Sequence, residues 1–396
     1  MKVKASPEDF RVEEQSSLEL SDRPGPYAVY RLEKRSWDTF DLLDVLARRL
    51  GVARRDVTVA GIKDRHGATS QLVAVRGLAG RPREVRDENY AAVPVGWTDA
   101  PLSARSIAAN RFRLVLRDMD RAEAARCLEN LDTVRRDGLP NYFDEQRFGS
   151  ARHGGGFMGK ELFLGRRERA LRLYFMPSKH DDRRTREMKR CVLEHWGKWR
   201  ECLPLARGDA AKVLERLAAS PRAFRQALLA LDRRFLVLVL NAYQSYLFNE
   251  LLAGVVRRES LARGFATRTL RYGVGEFVFP VELVEEARAV LAGRALPVPG
   301  WDTAADEPDV REELDAVLAR EAIALADLRA RQLPRISAHG VSRAAWMRPA
   351  DVAAGEPRDD ERYPGKLALE LSFTLPRGCY ATLVTKRLAL AVPWSR

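Results

Sequence analysis

An acidic side chain stands between two cations in the segment Gly61-Ile62-Lys63-Asp64-Arg65-His66-Gly67. A neighbouring cation such as Lys63 or Arg65 favours the ionised carboxylate, which can act as a nucleophile or as a base. The same residues also suit a plain turn in which Asp64 bonds its own backbone. A second segment, Leu139-Pro140-Asn141-Tyr142-Phe143-Asp144-Glu145-Gln146-Arg147-Phe148-Gly149, interleaves aromatics, amides and an arginine. Side chains of these kinds stack on nucleobases, bond their edges and pair with phosphates. The rings would serve equally well as core packing.

Other chemistries find less support. No Gly-rich loop ending in Gly-Lys-Ser/Thr, no Gly-x-Ser-x-Gly elbow and no His-Glu-x-x-His occurs, which argues against nucleotide-hydrolysing, α/β-hydrolase and zincin readings. Arg152-His153-Gly154-Gly155-Gly156 has no βαβ setting and reads as a flexible loop. Cys191, His195 and Cys202 lack the close Cys-x-x-Cys pair of a strong zinc signal, so a packed helix and no metal are expected. The four cysteines, Cys127, Cys191, Cys202 and Cys379, are scattered, and reduced thiols are the expectation.

The elements that must position these residues follow from periodicity. Residues 10–14 and 27–33 alternate as half-buried strands do, with Pro24-Gly25-Pro26 as the turn. Phe40, Leu43, Leu46 and Leu50 recur at helical spacing from Asp38, and Gly51 sits where a left-handed cap ends a helix. The Asp64 loop lies between a short strand at 57–60 and another at 72–75. Residues 111–117 alternate again, and 121–133 carry Ala122, Ala125, Leu128 and Leu131 at helical spacing. The aliphatic run 235–240 is expected to be core. After about residue 165 the chain turns charged and then mostly helical, through 210–254 and 307–332. Residues 357–364 are turn-rich, and Leu367, Leu369, Leu371 and Phe373 mark a last strand that should rejoin the first domain's sheet.

At 396 residues the chain is longer than one ordinary core and is expected to form two domains. No apolar stretch has the length of a membrane span, and no apolar run follows the charged N-terminus as in a secretory signal. A soluble, cytoplasmic protein is expected. The 68 Lys and Arg outweigh 55 Asp and Glu to give +13, a surplus that attracts polyanions, although an Arg-rich surface alone would give the same balance.

Four segments agree in type, order and spacing with one family. They are Lys4-Ala5-Ser6-Pro7-Glu8-Asp9-Phe10, Ala60-Gly61-Ile62-Lys63-Asp64, the stretch 140–149, and Leu375-Pro376-Arg377-Gly378-Cys379-Tyr380-Ala381-Thr382. A fifth, Asn241-Ala242-Tyr243-Gln244-Ser245-Tyr246-Leu247-Phe248-Asn249, looks like a helix of that family's insertion. The chain thus resembles the TruD family of tRNA pseudouridine synthases.

That resemblance implies an α+β fold: a pseudouridine synthase catalytic domain with a mixed, largely antiparallel sheet, interrupted by an α-rich TRUD insertion domain. The implied catalytic parts are residues 1–165 and 348–396, and the insertion is 166–347. Asp64 matches the family's catalytic Asp, Phe10, Asn141 and Tyr380 line the uridine pocket, and Phe143 is an aromatic of the same pocket. Lys4 and Lys63 match basic residues beside the nucleophile. Asn141 can both donate to and accept from a uracil edge; after Pro140 it is also a natural turn residue.

The implied activity is isomerisation of a uridine in tRNA, at position thirteen of the D arm, without cofactor or metal and with monomeric protein as the default. A noncatalytic RNA-binding or tRNA-folding protein on the same fold is the alternative. An unrelated acid–base enzyme acting on a phosphorylated metabolite is a third, with no specific residue in its favour. The sequence departs from the family pattern at Asp144, where Gly is common, at Gly67, where Ala is common, at Lys386-Arg387 in place of Arg-Glu, and at Tyr380, Phe in some members. Asp144 would put an extra negative charge near RNA. Catalysis further requires Asp64, Asn141 and Tyr380 to meet around one pocket.

Overall fold

Alternation in Phe10–Ser16 (β1) turns Phe10, Val12 and Glu14 inward and Arg11 and Glu13 outward, the pattern of a strand with one face covered. Tyr27–Arg35 (β2) does the same, with Ala28, Tyr30, Leu32 and Lys34 inward. Between β2 and the next strand lies the helix Thr39–Leu50 (α1). Asp38 caps its start by accepting from the Phe40 and Asp41 amides, and Gly51, at φ 72°, closes its end, the left-handed conformation that glycine adopts without a Cβ clash. Leu42, Leu43 and Leu46 of α1 pack on Tyr30 and Leu32. Phe40 of the expected apolar stripe is exposed instead, and Leu42 fills its place.

The structure is a computed structural model and describes residues 1–78, 82–151, 153–331, 333 and 336–390. After α1 come Val57–Val59 (β3), Ala68–Arg76 (β4), Val85–Asp87 (β5), Tyr90–Thr98 (β6) and Ile107–Met119 (β7). Near the C-terminus, Ala350–Ala354 (β8), Arg358–Asp359 (β9) and Leu367–Pro376 (β10) join the same sheet. Its order is β8-β10-β7-β1-β4-β2-β6-β5, with β9 on β10 and β3 on β4. Only β1 and β4 pair in parallel among the described strands of this sheet; the other pairings are antiparallel. The expected α+β class with a mixed, largely antiparallel sheet is therefore observed, as is the return of the last strand, β10, to it.

Two compact units divide the chain: Met1–Leu139 with Met347–Arg396, and Pro140–Trp346. The change in composition falls later, at about residue 165. Within the first unit the helix Arg121–Asp137 (α2) carries Asn130, whose amide donates to the carbonyls of Leu388 and Leu390 and accepts from Arg387 at 2.8 Å. Arg387, one of the departures from the family pattern, is thereby held in a buried site, where burial lowers its pKa to about 10.

The second unit is built on the 31-residue helix Arg233–Arg263, with Asp232 as its N-cap and Gly264 as its left-handed C-cap. Two small antiparallel pairs, Thr267–Tyr272 with Gly275–Pro280 and Ala295–Val298 with Val341–Ala344, accompany it. Of the run expected to be core, Leu236, Val239 and Leu240 are buried but Val237 and Leu238 are exposed, because a helix can turn only one stripe inward. Cys191 and Cys202 form a disulfide with Cα atoms 5.8 Å apart. This corrects the expectation of reduced thiols for that pair: the helix Arg183–Glu194 and the turn Trp199–Cys202 bring together cysteines eleven positions apart. Cys127 and Cys379 take no part in that disulfide. Arg152 of the glycine cluster lies outside the described residues. Among the described residues no helix is long and apolar enough to cross a membrane.

Candidate active site

Residues 61–67 leave β3 and return as β4 without regular structure of their own, so their shape depends on side-chain anchors. Gln71 Nε2 donates to the Gly61 carbonyl at 2.9 Å. Thr39 Oγ1, at the start of α1, donates to the Lys63 carbonyl at 3.0 Å and accepts from the Lys63 amide at 3.3 Å. The buried Lys34 ammonium donates to the carbonyls of Asp64 at 2.8 Å, Trp37 at 2.9 Å and Lys63 at 3.4 Å. A cation collecting three carbonyls fixes the backbone on both sides of the Asp64 side chain. Burial lowers the Lys34 pKa to about 8, partly offset by the negative charges of Asp64 and Asp38.

Asp64 itself is partly open, its side chain 33% exposed, and its Oδ2 lies 2.8 Å from Lys4 Nζ. Lys4 has φ 65°, a left-handed backbone that a residue with a Cβ adopts at a cost of about 1 kcal/mol or more. Its ammonium lies 3.9 Å from the centre of the Phe10 ring, an arrangement stabilised by the ring's quadrupole. Phe10 is buried and meets Phe112 edge-on at 6.1 Å. Lys4, Phe10 and Asp64 are thus brought together across 60 positions of sequence.

Lys63 does something else. Because neighbours in extended chain point to opposite sides, its ammonium turns inward to Glu14 Oε2 and Asn110 Oδ1, both at 2.7 Å. Arg65 is exposed, so the cation bonded to Asp64 is Lys4 rather than either sequence neighbour. Asn110 in turn faces Leu375 in the β7–β10 register. Tyr380 follows five residues after Leu375 as the half-buried N-cap of the helix Ala381–Ala389.

Asn141 and Phe143 belong to the second unit. The Asn141 amide donates to the Ala344 carbonyl at 2.9 Å and accepts from Arg343 at 2.7 Å. Phe143 exchanges two backbone bonds with the Asn249 amide, both at 2.8 Å. Arg343 lies 4.1 Å from its ring centre. Asp144 is only 3% exposed, which corrects the expectation that it presents charge to RNA: its carboxylate is enclosed within the second unit.

Sequence reasoning missed Lys34, Glu14, Thr39 and Asn110 as anchors of the loop. Strand parity held the signal for two of them, since Lys34 continues the inward series 28, 30, 32 and Glu14 the series 10, 12. A charged residue at an inward position needs a buried partner.

A cationic clamp on a carboxylate, carried by a loop anchored to a mixed sheet, can be set against known proteins. The family described as tRNA pseudouridine synthase D (TruD) matches residues 1–388. The "Probable tRNA pseudouridine synthase D" of Methanopyrus kandleri is 31% identical over 371 residues, covering 92% of this chain and 86% of that protein. The "tRNA pseudouridine synthase D" of Aquifex aeolicus is 29% identical and covers 98% of each. In fold, the solved structure of the "Putative tRNA pseudouridine synthase D (TruD)" from Methanosarcina mazei superposes with a TM-score of 0.73 over 98% of this chain and 93% of its own, at 24% identity. The family match runs through both units and includes the Asp64 loop, the 140–149 segment and Tyr380, and the chain belongs to the TruD family of tRNA pseudouridine synthases.

Proposed function

We propose that this protein isomerises a uridine within tRNA to pseudouridine, with Asp64 as the nucleophile and the uridine at position thirteen of the D arm as target. The reaction breaks the C1′–N1 bond, turns the uracil and forms C1′–C5, while C5 loses a proton and N1 gains one. Substrate and product are isomers, so the step consumes no oxidant or reductant. Attack at carbon and proton abstraction from the ribose both call for an ionised carboxylate. The observation that carries the reading is the Asp64 side chain, partly open to solvent, with Lys4 as counter-charge at 2.8 Å on a backbone held from below by Lys34.

A base stacked in RNA must be extruded before it can react, and an aromatic face compensates for the lost stacking. In this reading Phe10, Tyr380 and Phe143 line the uridine pocket, and Lys4 and Lys63 supply charge and support beside the nucleophile. Asn141 reads the uracil edge with the N–H and lone pair left over from its bonds to Ala344 and Arg343. Residues 1–165 and 348–396 act as the catalytic domain and 166–347 as the insertion. Support for joining the two terminal stretches comes from β10 pairing with β7 in one sheet.

The test is incubation with unmodified tRNA transcript followed by pseudouridine mapping, beside an Asp64→Asn control. Product at position thirteen that is lost in the control is expected. No product above the control overturns the activity, and product only at another position overturns the assigned target.

A further inference from the structure

The Cys191–Cys202 pair has neighbours that a purely structural disulfide does not need. Cys191 lies in the last turn of the helix Arg183–Glu194, His195 is that helix's C-cap, and Cys202 ends the turn that follows. Ligand-type atoms of all three lie within 4.8 Å of one another. His195 Nδ1 is 3.8 Å from Cys191 Sγ and 3.3 Å from Glu201 Oε2. Backbone bonds from His195 to the Cys191 carbonyl at 2.9 Å and from Lys198 to the His195 carbonyl at 2.8 Å hold the turn. Trp196 and Trp199 brace it edge to face at 4.7 Å. His195 and Glu201 are half-exposed, at 46% and 51%, so an ion has a way in.

Two thiolates, an imidazole and a carboxylate form a donor set for zinc-class ions, with Zn–S about 2.3 Å and Zn–N about 2.0 Å. Sulfurs sharing a tetrahedral ion stand about 3.8 Å apart, a separation that side-chain rotation supplies when the Cα atoms are 5.8 Å apart. Lys198 is a competing cation, its Nζ 3.9 Å from Glu201 Oε1.

We propose that, with both thiols reduced, Cys191, His195, Cys202 and Glu201 bind one divalent ion of the zinc class, and that the disulfide is the oxidised, metal-free form of the same site. The interconversion balances with a small-molecule disulfide as oxidant. The two protein thiolates form the S–S bond, the oxidant accepts two electrons and leaves as two thiolates, and the ion departs. The site lies wholly within the second unit and does not depend on the chemistry at Asp64.

The full chain, reduced with a phosphine under anaerobic conditions, is titrated with Co2+ as the probe. One ion per chain is expected, giving tetrahedral d–d bands and a sulfur-to-cobalt charge-transfer band that Zn2+ abolishes. Cys191→Ser and Cys202→Ser should each remove that band, and His195→Ala, which leaves both thiols in place, should weaken Co2+ binding by at least about tenfold. A melting curve run alongside identifies any variant that fails to fold, and the His195 variant then carries the test. The assignment is overturned if fully reduced protein, with its thiols counted, shows no charge-transfer band. It is equally overturned if the band survives both serine substitutions, which would place the ion on Cys127 or Cys379.

Discussion

Asp64 and Lys4 form an ion pair out of residues that neither sequence proximity nor periodicity connects. Asp64→Asn keeps the size of the side chain and removes its charge, and should lower turnover on tRNA by at least about 1,000-fold with tRNA binding nearly unchanged. Lys4→Met removes the bond to Asp64 and the contact over Phe10; a charge-assisted bond of about 1.5–3 kcal/mol corresponds to a loss of about 10- to 100-fold in kcat/KM. A Lys4→Met enzyme with wild-type kinetics would show that the pair is incidental. Gly67 allows a further prediction, because an added Cβ would sit 2.8 Å from the Phe10 carbonyl oxygen and 3.3 Å from its ring. Gly67→Ala must push the β1 backbone away, at a cost of about 1–3 kcal/mol, and chemical denaturation should show that loss. At this scale the sequence revealed residue types but not partners. Lys63 looked like the natural companion of Asp64, yet the extended chain sends it to Glu14, and the companion comes from 60 positions earlier.

Elements were legible where their signals are local. Asp38 and Gly51 bracket α1 as caps do, and alternation gave β1, β2, β7 and β10 before any pairing was known. The loop that matters most has no period, and its shape comes from neighbouring elements: Thr39 of α1, Gln71 of β4 and above all Lys34 of β2. Lys34→Met should therefore leave the Asp64 and Trp37 carbonyls unpaired and reduce turnover by about 100-fold through misplacement of the carboxylate. The effect has a pH signature with two opposite signs. In the folded protein the Lys34 pKa is lowered from 10.5 to about 8, so between those values the unfolded chain binds more protons. The contribution of Lys34 to stability is thus least favourable below about pH 8 and improves as pH rises toward 10.5. Activity goes the other way, since a neutral amine loses one of its three donors. The ratio of wild-type to Lys34→Met rates should narrow as pH passes through about 8, and a ratio constant from well below to well above that value would rule out the role given to Lys34.

Charge acts across the whole molecule, and +13 says little about where RNA lies until paired charges are set aside. Residues 166–190 hold ten Lys or Arg against four acids, but much of that excess is engaged locally. Arg172 pairs with Glu168, Arg183 with Glu187 and Lys189 with Asp181, while Arg186 bonds the carbonyls of Lys179 and Asp181. Arg184 and Arg190 are exposed, and their guanidinium groups have no partner among the described residues. Counterion release makes each phosphate contact visible as about 0.7–0.9 in the slope of log affinity against log salt. If the second unit contributes to tRNA binding through these two, Arg184→Gln with Arg190→Gln should weaken affinity and flatten that slope by about 1.5. Turnover at saturating tRNA should stay at the wild-type rate, because neither residue is among those assigned to the reaction. An unchanged slope would make this helix face a solvated surface and leave phosphate binding to other residues. A fall in saturated turnover, with the slope unchanged, would point to a structural role for the arginines.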